Sequence, residues 1–426
     1  QVASVKFYRD SSNTFGTASW SPAIVGGAAT ANISIGPNSS YTLQTARVDP
    51  QTTAGWAEVT STGELNGFAV FRQELPGSRQ EAAVPIAAQG SRRFFLPYDN
   101  TKGFTTSLAL ANISDTEQAN ITVVFRGANG TRTVNLGAIP ARGHRAFNLV
   151  QLFGVLDGDS GVAEFTTPTG QLSVLGLRFH GATFTSFEAQ YPRTAPVARY
   201  FSPQIADGGA YQTSITVVNT GNQQATINLN FYRSNSVPGQ ATLAWNPPLV
   251  GNRSTQNVRI DPGTSVTFQT AGVSGTTSAG WAEINASPST SSLGGFAVFR
   301  QLIAGTDQEA AVPINAVAQQ TLLLPYDNQG SFTTSLAAVN VSDKEALIKV
   351  TVRSASGVVR TADLRLPPRG HGAYTRLDAI SSALGNLQGD TGVAEFSSDG
   401  GAQLSLLGLR FDGPTFTSFK ALPAVP

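Results

Sequence analysis

Apolar and polar residues alternate with a period of two through most of this chain. In Gln171–Phe179, Ser173, Leu175, Leu177 and Phe179 share one face and Leu172, Val174, Gly176 and Arg178 the other, the spacing of a strand with one buried face. Residues 403–411 repeat the pattern. Turn signals at Ala128-Asn-Gly130, Asp157-Gly158, Asp207-Gly-Gly209 and Asp399-Gly-Gly401 separate such runs. Helical spacing is confined to segments around 147–155 and 376–385; in the latter Leu377, Ile380, Ala383 and Leu384 lie on one side and Gly385 can cap the end.

The alternating runs recur as blocks. Gly-Phe-Ala-Val-Phe-Arg-Gln occupies 67–73 and again 295–301, Glu-Ala-Ala-Val-Pro-Ile occupies 81–86 and 309–314, and Leu-Gly-Leu-Arg-Phe occupies 175–179 and 407–411. The chain is therefore a duplication, and each half splits once more, because 106–179 has the plan of 213–300. About seven short strands per module, with turns every 8 to 12 residues or so, predict an all-β protein of four tandem immunoglobulin-like antiparallel β-sandwich modules. They alternate A-B-A-B: residues 1–90 and 199–316 are type A, residues 93–193 and 321–426 are type B with a short helix. The short linker Pro192-Arg-Thr-Ala-Pro196 predicts a fairly stiff rod.

One module is deficient. When Phe7-Tyr8-Arg9 is aligned on Phe231-Tyr232-Arg233, the first module lacks the counterpart of 199–224, including Tyr200-Phe-Ser-Pro-Gln204 and Tyr211–Asn219, its two N-terminal strands. A sandwich without them exposes core side chains and an unpaired edge. Two readings stand: the chain begins inside a domain, or a neighbouring chain covers the gap by β-augmentation. The tail Ala421–Pro426 is too short to supply two strands, so a donor has to be a packed neighbour's edge.

Composition narrows the partners. Lys and Arg total 28 against 27 for Asp and Glu, so no strong field draws nucleic acid or anionic lipid. Charged residues are only 13% of the chain, a balance that favours a secreted, extracellular or cell-surface protein. Cysteine and methionine are both absent, which removes disulfides and thiol chemistry and suits long exposure to oxidants. The start at Gln1 reads as a processed end or a cut, and no run of 18 apolar residues exists to span a membrane as a helix.

Candidate chemistry mostly dissolves on comparison of the repeats. Gly158-Asp-Ser-Gly161 resembles the nucleophile segment of trypsin-like proteases, but its copy is Gly389-Asp-Thr-Gly392, and both lead into a Gly-Val-Ala-Glu-Phe strand. His144 and His371 occupy one repeated site, Pro-(Ala/Pro)-Arg-Gly-His, and His180 is replaced by Asp412, so all three read as polar turn residues. Asp157 and Asp159, and Asp99-Asn100 with its copy Asp327-Asn328, are weak calcium candidates that read better as Asx turns; no catalytic residue or other cofactor is expected. Glu58, Glu164, Glu283 and Glu395 recur with Arg72, Arg178, Arg300 and Arg410 on the following strand. With Thr166 opposite Leu172 in a simple hairpin, Glu164 faces Val174 and reaches Arg178 only in a shifted register, so these read as outer-face polar residues.

Trp20, Trp56, Trp245 and Trp281 occur only in the A modules, at two repeated positions. They are the interaction candidates: their flat faces can stack on sugar rings, or pack against the next module or another chain. Sequons such as Asn32, Asn38, Asn129 and Asn252 matter only in a eukaryotic secretory pathway.

The segments Phe94-Phe-Leu-Pro-Tyr-Asp-Asn100, Thr106-Ser-Leu-Ala-Leu-Ala-Asn112, Leu366-Pro-Pro-Arg-Gly-His371 and Leu407-Gly-Leu-Arg-Phe411 together resemble a tandem β-sandwich repeat region of large secreted proteins of environmental bacteria. That resemblance implies export and surface or matrix residence, and carries over no functional residue. The expectation is a non-enzymatic extracellular structural protein, self-associating into a filament, surface layer or matrix through β-edges and module faces. The alternative is a carbohydrate-binding or adhesive accessory region of a larger secreted protein.

Overall fold

Alternation of apolar residues becomes antiparallel strand pairing throughout the chain, because one buried face per strand is satisfied by two sheets packed face to face. The computed structural model describes the 426-residue chain except residues 12–14, 76–77, 88–89, 196, 235–241, 304–306, 317 and 425–426. Ala88, Gln89, Pro196 and Val317, at the expected module boundaries and linker, lie outside the described residues. The two helical segments are single turns: α1 (Leu149–Leu152), capped by the Asn148 side chain, and 3-10 turns at Leu377–Ile380 and Ser382–Leu384.

In the first module β1 (Val2–Asp10) pairs with β2 (Thr17–Trp20), β3 (Ile33–Ser34) and β4 (Gly55–Ser61). There β5 (Phe68–Leu75) and β6 (Ser78–Pro85) form a separate two-stranded sheet. The second module is a full sandwich of β7 (Arg93–Asp99), β8 (Phe104–Asn112), β9 (Ala119–Gly127), β10 (Gly130–Ile139), β11 (His144–Asn148), β12 (Ser160–Thr166), β13 (Leu172–His180) and β14 (Thr183–Glu188). Its sheets run β10-β9-β12-β7 and β11-β8-β13-β14.

The third module holds β15 (Arg199–Asp207), β16 (Tyr211–Asn219), β17 (Ala225–Arg233), β18 (Leu243–Trp245), β19 (Val258–Ile260), β20 (Ser265–Gln269), β21 (Ser278–Ser287), β22 (Leu293–Gln301) and β23 (Gln308–Pro313). One sheet is β15-β21-β17-β18 with β19 also on β17, and the other is β20-β16-β22-β23. The fourth module repeats the second with β24 (Thr321–Asp327), β25 (Phe332–Asn340), β26 (Ala346–Ser354), β27 (Val359–Leu366), β28 (His371–Tyr374), β29 (Thr391–Ser398), β30 (Leu404–Asp412), β31 (Thr415–Lys420) and β32 (Leu422–Pro423). The protein is thus all-β, built of antiparallel sandwiches, and among the described residues β4 and β5 of its first module have no partners corresponding to β15 and β16 of the third.

One expected pairing is corrected. Strands β12 and β13 do not form a hairpin: β12 lies between β7 and β9, while β13 lies in the opposite sheet between β8 and β14. Glu164 therefore sits opposite Phe95 and Val124, not Val174. Each strand of the β12 type carries a glycine within its first three residues for a steric reason. A Cβ at Gly55, Gly161, Gly280 or Gly392 would lie 1.9, 2.1, 2.0 or 2.0 Å from the carbonyl oxygen of Tyr8, Arg126, Tyr232 or Arg353 on the neighbouring strand.

The modules do not form a rod. The last strands of the four modules meet in the middle: β6 packs on β14, β14 on β23, β23 on β31, and β31 on β6 again, which closes a ring. Four stacked phenylalanine pairs mark the closure. Phe71 stacks on Phe184, Phe187 on Phe296, Phe299 on Phe416, and Phe419 on Phe68, with centroids 5.2, 4.5, 5.2 and 4.6 Å apart. Each A module contributes two rings from its Gly-Phe-Ala-Val-Phe strand, one to each B neighbour, and such pairs add about 1 kcal/mol each beyond area burial. The cores merge as a result: Phe296 and Val298 join the second module's core, and Phe416 and Leu409 the third's. A proline-bearing linker limits local bending, but it does not decide where the sheets' second faces are buried.

Candidate interaction site

Two kinds of joint hold the ring, and each occurs twice. The joint between the first and second modules is centred on Arg142, whose guanidinium lies 4.7 Å from the Tyr8 ring centroid and 5.5 Å from that of Trp56. Tyr8 and Trp56 are stacked at 4.7 Å, Glu58 accepts from Arg142 at 2.6 Å, and the Trp56 indole donates to the Arg142 carbonyl at 3.2 Å. The third and fourth modules copy it. Arg369 lies 4.7 and 5.7 Å from the Tyr232 and Trp281 ring centroids, Tyr232 stacks on Trp281 at 4.5 Å, and the Trp281 indole donates to the Arg369 carbonyl at 3.0 Å. Both arginines hold a left-handed backbone, φ 58° and 54°, which turns that carbonyl toward the tryptophan. Burial works against the Arg142 charge, but the hydrogen bonds it donates to Glu58, Tyr8 and Asp115 more than offset this, and the group stays above its ordinary range.

The histidines belong to these joints and are not surface turn residues. His144 is buried and bonds Asp10 at 2.7 Å through Nδ1; His371, also buried, contacts Ser234 at 2.6 Å and Gln204 at 3.1 Å. Burial pushes the His371 imidazole down to about 4. His180 lies at the other kind of joint, 2.8 Å from Arg300.

That second joint links the second module to the third and the fourth back to the first. Arg178 meets both oxygens of Glu309 at 2.5 Å, and Arg410 meets both oxygens of Glu81 at 2.7 Å. The glutamates are 1% exposed. Arg178 and Arg410 in turn lie 3.6 and 3.5 Å over the rings of Phe104 and Phe332. Arg72 adds a 2.7 Å contact to Glu81, whereas Arg300 is 3.6 Å from Glu309. The expectation of outer-face polar residues is therefore corrected for these arginines: the face that alternation marks as polar is covered by the next module. Glu164 remains within its own module, paired to Arg93 at 2.8 Å and Arg126 at 2.7 Å, which hold its carboxyl below the usual range despite burial.

Of the two alternatives for the tryptophans, Trp56 and Trp281 take the packing one, each against the arginine of the next module. Trp281 is fully buried and Trp56 half-buried, with their faces taken by tyrosine and arginine, so neither offers a free platform to a sugar ring. Trp20 and Trp245 sit half-buried edge-on to Phe7 and Phe231. Among the calcium candidates Asp159 is buried and accepts from the Tyr98 hydroxyl at 2.9 Å and from the amides of Asn129 and Ser160, while Asp157 is exposed. Among the described residues no group of three or more acidic or histidine side chains is arranged to hold a metal, and no helix is long and apolar enough to cross a membrane. The residues missed by sequence reasoning are Arg142 and Arg369. Their signal was present in the repeated Pro-(Ala/Pro)-Arg-Gly-His, one position before the histidines.

What the joints leave over is a cleft in the first module. Among the described residues β4 pairs only with β1 and β5 only with β6, whereas their copies β21 and β22 also pair with β15 and β16. Side chains that are core in the third module are open here. Phe71 is 37% exposed against 4% for Phe299, Ala57 and Ala69 are exposed where Ala282 and Ala297 are fully buried, and Val59 is half-buried where Ile284 is fully so. Apolar side chains line a gap one strand wide in each of the two sheets, bordered by β4 in one and β5 in the other.

No protein-family model matches the chain, and no curated protein matches it significantly. Among solved structures, a chain described as "The Triple Jelly Roll Fold and Turret Assembly in an Archaeal Virus" aligns at 11% identity over 83% of this chain and 91% of that one. Its TM-score of 0.14 is too low for any argument to rest on it.

Proposed function

We propose that the chain is a non-enzymatic structural subunit of an extracellular assembly, a filament, surface layer or matrix, that grows through a β-edge. The observation that carries this reading is an asymmetry. The strands that repeat β4 and β5 are paired on both sides in the other three modules, whereas among the described residues β4 pairs only with β1 and β5 only with β6, with apolar side chains between their open edges. A closed ring uses up the repeating module faces, which otherwise propagate head to tail, so growth through them is blocked. The repeated Arg, Glu, His and Trp residues support the same reading, since each is engaged in holding modules to one another or within themselves. A composition without cysteine or methionine supports residence in an oxidising setting.

Negative-stain imaging and sedimentation of the protein from its native source test this. Ordered polymers or sheets are the expected result, and dispersed particles of one chain at high concentration would overturn it.

A further inference from the structure

The two joints between the halves of the chain share one frame. Arg410 on Glu81 repeats Arg178 on Glu309, and the ring of Phe332 beneath one arginine repeats that of Phe104 beneath the other. Around this frame two repeated positions have diverged together. Alignment of 67–86 on 295–314 sets Arg79 against Asp307, and alignment of 175–184 on 407–416 sets His180 against Asp412. The first position belongs to the A module and the second to the B module, so the two changes fall on opposite sides of the same interface.

Between the fourth and first modules, Asp412 is buried, accepts from Arg79 at 2.6 Å and lies 3.5 Å from Arg72. Burial pushes its carboxyl up, but the Ser331 hydroxyl at 2.6 Å and the two arginines hold it below the usual carboxylate range. Between the second and third modules the same places are held differently. Arg300 donates to His180 Nδ1 at 2.8 Å and also pairs with Asp307, so one guanidinium serves both groups. The main chain meets in the same way at both joints: Thr415 donates to the Arg79 carbonyl at 2.9 Å, as Thr183 does to that of Asp307 at 2.8 Å. Only the charges differ. The A side is cationic in one joint and anionic in the other, and the B side is a carboxylate in one and an imidazole in the other.

We propose that these positions form a charge key, Arg79 with Asp412 and Asp307 with His180, by which each half of the chain closes on the other half and rejects a copy of itself. The shared frame alone fits any A module to any B module, because its Arg, Glu and Phe recur in both joints. The key does not. With the first module set on the second through this face, Arg72, Arg79 and Arg178 crowd Glu81, and His180 stands where the buried carboxylate is needed. With the third set on the fourth, Glu309, Asp307 and Asp412 meet only Arg300 and Arg410. Either crossing leaves unmatched charge beside glutamates that are 1% exposed, where an uncompensated ion is costly. A duplicated chain needs this distinction, since like halves otherwise close equally well on one another and ring closure competes with mispairing between chains. The key concerns how the ring closes, and it stands or falls independently of the assembly reading.

The test is made in the full chain, where exchanging one side of the key recreates both crossings at once. Arg79→Asp with Asp307→Arg should raise the radius of gyration as the halves part, and should speed amide exchange in β6, β14, β23 and β31 by about tenfold or more. Adding Asp412→His and His180→Asp returns matched pairs at exchanged joints, and this fourfold variant should behave as wild type. The same holds for one joint alone: Arg79→Asp should loosen the clasp of the fourth module on the first, and Asp412→His beside it should restore it. A twofold variant indistinguishable from wild type would overturn the proposal, and so would a fourfold variant no better than the twofold one. If the twofold variant fails to fold and the fourfold one folds, the key is sustained; if both fail, it is overturned.

Discussion

His371 is a neutral imidazole sealed between Ser234 and Gln204, and its environment makes stability depend on pH. In the unfolded chain it takes a proton near its ordinary 6.5, but in the fold only near 4, because burial penalises the charged form. Its contribution is therefore fully present above about pH 6.5 and is lost as pH falls toward 4, by up to about 3 kcal/mol. Melting curves between pH 7.5 and 4.5 should show that loss, and His371→Gln should flatten it. A second expectation concerns the two buried glutamates. Arg178→Ala leaves Glu309 with Arg300 at 3.6 Å, whereas Arg410→Ala leaves Glu81 with Arg72 at 2.7 Å. Denaturant titration should find the first variant destabilised by about 3 kcal/mol and the second by roughly half as much. Neither partnership was legible in the chain. A pair 131 or 329 residues apart leaves no spacing signal, and an arginine on the polar side of a strand reads as solvated whether water or another module covers it.

Strands are where the sequence speaks most clearly. Gln171–Phe179 reads as a strand from its alternation, and β13 occupies Leu172–His180. The turn at Asp207-Gly-Gly209 also falls where β15 ends. The orientation of strands was less legible, since β12 and β13 are neighbours in sequence yet enter opposite sheets. Alternation also fails in β14, Thr183-Phe-Thr-Ser-Phe-Glu188, where the hydroxyl-bearing residues Thr183, Thr185 and Ser186 are as buried as the rings. Their hydroxyls find partners across the ring, Thr183 on the Asp307 carbonyl at 2.8 Å and Ser186 on that of Ala83, so a polar face is buried without loss. Gly176 and Gly408 sit beneath this layer. A Cβ there would lie 2.5 and 2.3 Å from the rings of Phe187 and Phe419. Alanine at either site should displace a stacked ring and cost about 1–3 kcal/mol, equally in both halves, as read from thermal midpoints.

At the scale of the whole molecule the expectation of a rod gives way to a ring, and solution scattering distinguishes them. A compact body of this length has a radius of gyration of about 22 Å, and four modules in line would far exceed it. Proteolytic cutting between Pro192 and Ala195 should leave the halves together on a sizing column, because Arg178–Glu309 and Phe187–Phe296 still join them. The four-module count and the deficient first module were readable from internal repetition alone. Closure was not, because it depends on contacts between the two ends of the chain, such as Asn38 with Glu395 at 3.1 Å. Of the four junctions around the ring, three are also crossed by the backbone, and the one between the fourth module and the first is held by non-covalent contacts only. Under tension applied at residues 1 and 426 that clasp should give way before any sandwich unravels, turning a bracelet into a strip about as long as its modules allow, and it should snap shut again when the load is released.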